Sequence, residues 1–259
     1  MADRRDGPAE AREEDLSYYP NARADMDKLH QRIEGLRLRL VNALIAAKDY
    51  RRAVDLLSQW LDQANDPALR YRYLRFIALC YQAEGHEDKA ATSMERALLL
   101  QPTDIGLSND LAYTWIDRGL RLKDAEPLIR HAVGNAPEQG AYLDTYAWLL
   151  YKKGDFAGAE RWLRRANTAR SRQDPVILDH LGDALWRQGR RDEAVEFWTA
   201  AVRVVNERNE RELANTDERR VKAATPDKID AEKSGGEPGV APLEVPIDEQ
   251  EGVDRTERT

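Results

Sequence analysis

A five-fold pattern of small and bulky apolar residues constrains this chain more than any other feature. An alanine is followed by a bulky residue four positions on, and three positions later usually by another small one. The leading alanines lie 37, 35, 34 and 35 residues apart. Self-similarity at such a period predicts stacked supersecondary units. The five copies of the pattern are Ala53-Leu57-Trp60, Ala90-Met94-Ala97, Ala125-Ile129-Ala132, Ala159-Leu163-Ala166 and Ala194-Trp198-Ala201.

Each copy is predicted to form two helices joined by a turn. In the last copy Leu178, Leu181 and Leu185 mark helix A, and Ala194 begins the marked face of helix B. Spacings of three and four place each set on one helix face. Small residues of helix A, such as Gly182, are expected to face the alanines that begin helix B. Left-handed C-caps are expected where helix A ends, at Gly85, Gly119, Gly154 and Gly189.

The pattern resembles the tetratricopeptide repeat over about residues 34–208, and residues 143–166, LDTYAWLLYKKGDFAGAERWLRRA, carry the resemblance most clearly. It implies an all-α, right-handed superhelical solenoid of antiparallel helix pairs, with a concave groove lined mainly by the A helices. Five repeats are predicted, at about 34–66, 71–103, 105–138, 140–173 and 175–208.

Two copies depart from the pattern. The first has Arg37 in the initial aromatic slot, Lys48 in place of the turn glycine and Trp60 in place of the final alanine. We interpret it as an atypical capping repeat, as terminal repeats often are. The third copy carries one extra turn residue between Gly119 and Ala125.

The two ends of the chain differ from the repeats in composition. Residues 1–30 are predicted to be a polar, disordered arm, and residues 31–214 hold the repeats with a C-terminal helix extension. Residues 209–259 contain 8 Lys and Arg against 14 Asp and Glu, so residues 215–259 are predicted to be an acidic disordered tail. Composition favours a solubilising role for this tail, and covering of the groove is the alternative.

The remaining composition excludes several function classes. Residues 33–208 carry 26 Lys and Arg against 25 Asp and Glu, which argues against nucleic-acid binding. The only cysteine, Cys80, is expected to be a buried structural thiol. His180 with Asp179 and Asp183 is the nearest approach to a metal or acid–base cluster, but adjacent residues on a helix point apart. No catalytic residue, metal or cofactor is predicted.

The expected location is the cytoplasm, since the first residues lack the apolar core of a signal peptide. The longest apolar stretch, around residues 40–47, is too short to insert into a membrane.

A candidate binding site follows from placing each A helix on a helical wheel. The face one step away from the packed set is expected to line the groove, with aromatics and carboxylates in copies three to five and two arginines in copy two. Whether Trp148 and Trp186 are exposed there or packed against neighbouring A helices stays open. The site residues are Arg72, Arg75, Asn109, Tyr113, Asp144, Trp148, Tyr151, Asp179, Asp183 and Trp186.

These observations predict a non-catalytic scaffold or adaptor that binds a peptide or helical segment of another protein. The acidic residues favour a partner with basic residues, and the chain itself is expected to be a monomer or a weak homo-oligomer. The alternatives are a structural, self-assembling module of a larger complex and, with less support, a nucleic-acid binder.

Overall fold

The computed structural model describes residues 21–169, 173–208 and 216–243, and all regular structure in these ranges is helical. The chain forms two compact units, residues 1–56 and 57–259. The helices in chain order are α1 (Ala22–Ala46), α2 (Tyr50–Gln63), α3 (Pro67–Ala83), α4 (Glu87–Leu100), α5 (Ile105–Asp117), α6 (Leu122–Asn135), α7 (Gly140–Lys152), α8 (Phe156–Thr168), α9 (Pro175–Arg187), α10 (Arg191–Asn206) and α11 (Thr216–Lys233).

The first unit holds α1 and the beginning of α2, joined by a tight turn. Val41, Leu44 and Ala53 are buried. Lys48 adopts a left-handed conformation with φ of 59°. It therefore takes the turn position that a glycine occupies in the other copies. Because α1 begins at Ala22, the prediction of a disordered arm is wrong for residues 22–30. Residues 1–20 of that arm lie outside the described residues.

In the second unit, the pairs α3/α4, α5/α6, α7/α8 and α9/α10 are copies two to five of the repeat. The alanine that leads each B helix is fully buried, as close packing of antiparallel helices requires. A Cβ at Gly182 would lie 2.4 Å from the ring of Trp198, so this glycine makes room for an indole that follows Ala194 by one turn.

The turns follow the predicted left-handed geometry, with φ between 68° and 83° at the four turn glycines. The extra residue of the third copy is absorbed by a second left-handed residue, since Arg121 has φ of 49° immediately before α6. The insertion therefore changes the turn and leaves the packing of α5 on α6 intact.

The C-terminal segment is the main departure from expectation. Residues 216–243 form α11 and a following stretch that folds back onto the repeats, so the prediction of disorder from residue 215 is wrong for these residues. Tertiary contact orders this segment, because Val221 joins an apolar cluster of the last copy. The other members of the cluster are Val176, Leu178, Ala201, Val204 and Val205. Helix α10 ends at Asn206, and the extension predicted to reach 214 falls partly outside the described residues, as do residues 244–259.

Candidate functional site

Helix α11 and the residues after it contact one face of the A helices α5, α7 and α9. The "groove floor" denotes the residues of this face that meet or underlie the C-terminal segment. They are Tyr113, Asp117, Asp144, Trp148, Tyr151, Lys152, Asp179, His180, Asp183, Trp186 and Arg187.

A lysine of α11 lies between two carboxylates of α9. Lys228 Nζ donates to both carboxylate oxygens of Asp179 at 3.0 Å and to Asp183 Oδ1 at 2.6 Å, and Thr225 Oγ1 donates to Asp179 at 2.7 Å. Burial opposes the charge on Lys228, but Asp183 and Asp179 outweigh it and raise the pKa of the lysine. Burial, reinforced by Asp179 and opposed by Lys228, raises the pKa of Asp183.

An arginine of α11 makes the equivalent contact on copy three. Arg220 Nη1 donates to Asp117 Oδ2 at 2.7 Å, and Arg220 Nη2 lies 3.5 Å from the hydroxyl of Tyr113. Trp148 Nε1 donates to the other carboxylate oxygen of Asp117 at 3.1 Å. Burial alone would raise the pKa of Asp117, but Arg220 lowers it below its ordinary value.

The centre of the groove floor is a buried aromatic stack. Trp148 is only 1% exposed and lies between Tyr151 and His180, with ring centroids 4.5 Å and 3.8 Å away. His180 Nδ1 lies 2.9 Å from Asp144 Oδ1. Burial disfavours the charged imidazole, but Asp144 raises the pKa of His180 above its ordinary value. The indole therefore packs against neighbouring A helices in this structure instead of presenting a free face.

After α11, the chain at Ala241 and Pro242 is held through its backbone. Tyr151 Oη and Arg187 Nη2 donate to the carbonyl oxygen of Ala241 at 2.8 and 3.0 Å. Lys152 Nζ donates to the carbonyl oxygen of Pro242 at 2.9 Å. The amide of Ala241 donates to Asp183 Oδ2 at 3.1 Å. Both backbone groups of Ala241 are thus bound by side chains of the groove floor.

The end of α11 is held at the rim of the groove floor. Trp186 Nε1 donates to Glu232 Oε2 at 3.1 Å, and Arg191 Nη1 lies 3.4 Å from the other oxygen of Glu232. Trp186 is half-buried, so this indole, unlike that of Trp148, keeps part of its surface open to solvent.

A cavity of about 190 Å³ remains between the groove floor and the C-terminal segment. Lys152, Asp183 and His180 contribute to its wall from one side, and Arg220 and Lys228 from the other. Lys152 is buried, and desolvation lowers the pKa of its ammonium. The Nε2 atom of His180 is buried and has no hydrogen-bond partner among the described residues. The polar interface is therefore not packed to full density at its centre.

The structure brings together seven of the ten predicted site residues. Five of them, Tyr113, Tyr151, Asp179, Asp183 and Trp186, make hydrogen bonds with residues 216–243, while Asp144 and Trp148 support the floor from below.

The other three predicted residues, two in copy two and one in copy three, lie elsewhere. Arg75 pairs with Asp104 at 3.6 Å, and Arg72 is exposed on the same helix. Asn109 is buried and donates to Asp110, the next residue.

Four groove-floor residues were not among the predicted ones: Asp117, Lys152, His180 and Arg187. Three of them share one signal. Asp117, Lys152 and Arg187 each follow a predicted groove position by four residues, and they lie 35 residues apart along the chain. Extending the same helix face by one turn would have found them.

The expected inert role of Cys80 agrees with its surroundings. Its side chain is fully buried in α3, and burial raises the pKa of the thiol to about 11. Among the described residues, no group of three or more His, Cys, Asp or Glu side chains is placed to hold a metal ion. His180 pairs with Asp144 of the preceding copy, while Asp179 and Asp183 bind Lys228.

Comparison with known proteins agrees with the repeat geometry. A family model described as "Tetratricopeptide repeat" matches residues 32–227. The chain belongs to the tetratricopeptide-repeat family. A relative within this family, "TPR repeat-containing protein PA4667" of Pseudomonas aeruginosa, is 33% identical over 103 residues. That match covers 39% of this chain and only 17% of the relative.

Solved tetratricopeptide structures share the fold. PilW, described as a widely conserved type IV pilus biogenesis factor, is 21% identical with a TM-score of 0.58, covering 70% of this chain and 81% of PilW. The tetratricopeptide protein TTC0263 of Thermus thermophilus is 20% identical with a TM-score of 0.54, covering 74% and 98%. The predicted tetratricopeptide solenoid is thereby confirmed. Tetratricopeptide folds in general provide surfaces for protein–protein interaction. In the described part of the chain, the helices are too short or too polar to cross a membrane.

Proposed function

We propose that this protein is a non-catalytic interaction adaptor that binds a basic segment of another protein on the groove floor of copies three to five. One observation carries the proposal: α11 already lies there and places Lys228 between Asp179 and Asp183. The groove floor thus has the chemistry to bind a helix bearing lysine or arginine, whichever chain supplies it.

The charge of the groove floor supports a basic ligand. The repeats themselves contribute four carboxylates and the cations of Lys152 and Arg187. The carboxylates are those of Asp117, Asp144, Asp179 and Asp183. Without α11, Asp117 would lose its contact with Arg220, and Asp179 and Asp183 would lose theirs with Lys228. A basic segment restores the balance, whereas an acidic one would add to the excess. The cytoplasmic location and the weak tendency to self-associate stay predictions.

The proposal is tested by quantitative affinity capture from native lysate. The test variant is Asp183→Asn, which keeps an oxygen acceptor for Trp198 Nε1, 3.0 Å away, but removes the negative charge. The matched control is Asp192→Asn, an exposed acid in the first turn of α10. The variants are compared in a chain carrying Lys228→Gln, whose own cation no longer meets Asp183. There we expect the captured proteins to fall about 10-fold or more with Asp183→Asn, since breaking a buried charge pair is costly.

The control variant is expected to capture the same proteins as the Lys228→Gln chain alone. Replacing Lys and Arg by Gln in the captured segment should abolish capture as well. Equal recovery of the same proteins by the Lys228→Gln chain with and without Asp183→Asn would refute binding at this surface.

A further inference from the structure

The cationic contacts of α11 span the groove floor from copy three to copy five. Arg220 and Lys228 lie eight residues apart, or about 12 Å along a helix at 1.5 Å per residue. One meets Asp117 at the end of α5, and the other meets Asp179 and Asp183 in α9. The groove floor therefore recognises two cations about two helical turns apart on the same segment.

The stretch after α11 is recognised by different means. Its hydrogen bonds to the groove floor involve the amide and carbonyl of Ala241 and the carbonyl of Pro242. Backbone groups are common to every peptide, so these contacts do not require a particular sequence. A chain from another protein could form the same three-sided contact with Tyr151, Lys152 and Asp183.

A segment of another protein can replace these charged and backbone contacts. The Coulomb attraction within a buried ion pair is largely offset by the cost of removing both charges from water, so the net contribution of the pair is small. A competitor that carries the same groups replaces each contact without leaving a carboxylate unmatched. Val221 also packs in the apolar cluster of the last copy, and the covalent link to α10 keeps the segment close to the groove floor when these contacts open.

We propose that residues 216–243 are a built-in competitor for the groove floor and that they define the chemistry of the partner. The partner presents a helix with two cationic side chains about two turns apart, followed by a stretch of chain held through its backbone. It binds by displacing the chain's own segment. This inference rests on the proposed function, because it assumes that the groove floor is the partner-binding surface.

The competition sets a threshold for binding. A tethered segment acts at an effective concentration in the millimolar range, and a partner binds only the open fraction of molecules. Its apparent dissociation constant is the intrinsic one divided by that fraction. If about one molecule in a hundred is open, the apparent affinity is about 100-fold weaker. Weakening the internal contacts is therefore expected to strengthen binding of an external segment.

The test uses the full chain and a fluorescent synthetic peptide of residues 216–243 as the probe, followed by anisotropy. Lys228→Gln weakens the internal segment and leaves the groove floor unchanged. Lys233→Gln, an exposed cation in the last turn of α11, is the matched control. We expect the peptide to bind Lys228→Gln about 10-fold or more tightly than it binds the wild type or Lys233→Gln.

Adding Asp183→Asn to Lys228→Gln should remove the gain, which places the peptide on the groove floor. Helical circular dichroism verifies that each variant is folded. Equal peptide affinity of the wild type and Lys228→Gln overturns the competition. Absence of binding to the folded Lys228→Gln variant also overturns it, because the segment would then be a permanent part of the fold.

The two proposals fail separately in the capture experiment. If Asp183→Asn leaves the captured partners unchanged in the Lys228→Gln chain, the binding surface itself is wrong. If Asp183→Asn removes them there but Lys228→Gln alone fails to increase them above the wild type, the surface stands and only the competition is wrong.

Discussion

The contact of α7 with α8 is made by apolar side chains, whereas charged side chains make much of the contact of α11 with the groove floor. In the first, Ala147, Ala159 and Leu163 are fully buried, and close approach of two backbones excludes water. In the second, Lys228 and Arg220 meet carboxylates around a polar cavity. Both are helix contacts within the same compact unit.

This difference indicates which contacts a segment of another protein can replace. Apolar packing depends on shape, and removing a buried side chain leaves a cavity that nothing else fills. Charged contacts depend on a few groups that another segment can also supply. The repeat pairs thus act as the permanent part of the molecule, and α11 with the stretch after it as the replaceable part. Three further predictions test this division.

The largest effect is expected in the repeat body. Leu163→Ala should lower the free energy of unfolding by about 2–5 kcal/mol, because it deletes a fully buried side chain and leaves a cavity. Urea denaturation measures the change. The same substitution at Leu99, which is 82% exposed, should change stability by less than about 0.5 kcal/mol. Similar losses for both variants would contradict the packing described for α8.

A smaller and more local effect is expected for the C-terminal segment. Lys228→Gln should lower the free energy of its local opening by about 1–3 kcal/mol, since it leaves buried carboxylate oxygens without their cation. Native-state hydrogen exchange should then show faster exchange in residues 216–243 while α7 and α8 keep their protection.

Lys233→Gln again serves as the matched control and should leave both regions unchanged. Equal loss of protection in α7 and α11 would contradict the division into a permanent and a replaceable part, because the segment would then unfold only together with the repeats.

The smallest effect concerns pH and belongs to the repeat body. Burial opposes protonation of His180, but Asp144 outweighs it and raises the pKa above 6.5, so the folded state holds this proton more tightly than the unfolded state. The resulting stability is complete below pH 6.5 and is lost as pH rises through the raised pKa. The loss amounts to about 1.4 kcal/mol for each tenfold difference in proton affinity between the two states.

Urea denaturation at about pH 6 and about pH 9 measures this loss. His180→Gln should remove it, and the exposed His86→Gln should retain it. A pH dependence that survives His180→Gln would assign the titration to another group.

Much of the repeat body was predictable because its signals are local. The alternation of small and bulky residues at spacings of three and four marked both helices of each copy, and the turn glycines marked their ends. Even the two irregular turns were visible as departures at Lys48 and after Gly119. The groove face of α7 and α9 followed from the same periodicity.

The docking of the C-terminal segment was not predictable in the same way. Its composition is charged, and its order depends on contacts such as that of Arg220 with Asp117, 103 residues away in sequence. A faint local signal exists, since buried Val221, Thr225 and Ile229 recur every four residues. The burial of Trp148 was likewise undetermined, because it requires His180 of the next copy to stack on it.

The surroundings of Cys80 have a practical consequence for following the movement of α11. With a pKa of about 11, only about one thiol in ten thousand is ionised at neutral pH, and the side chain is shielded from reagents by full burial. A cysteine introduced at exposed position 233 would be the one reactive thiol of the native chain, whose sequence has no other cysteine than Cys80. A fluorescent label can therefore be attached to α11 selectively, with every native residue of the repeats left in place.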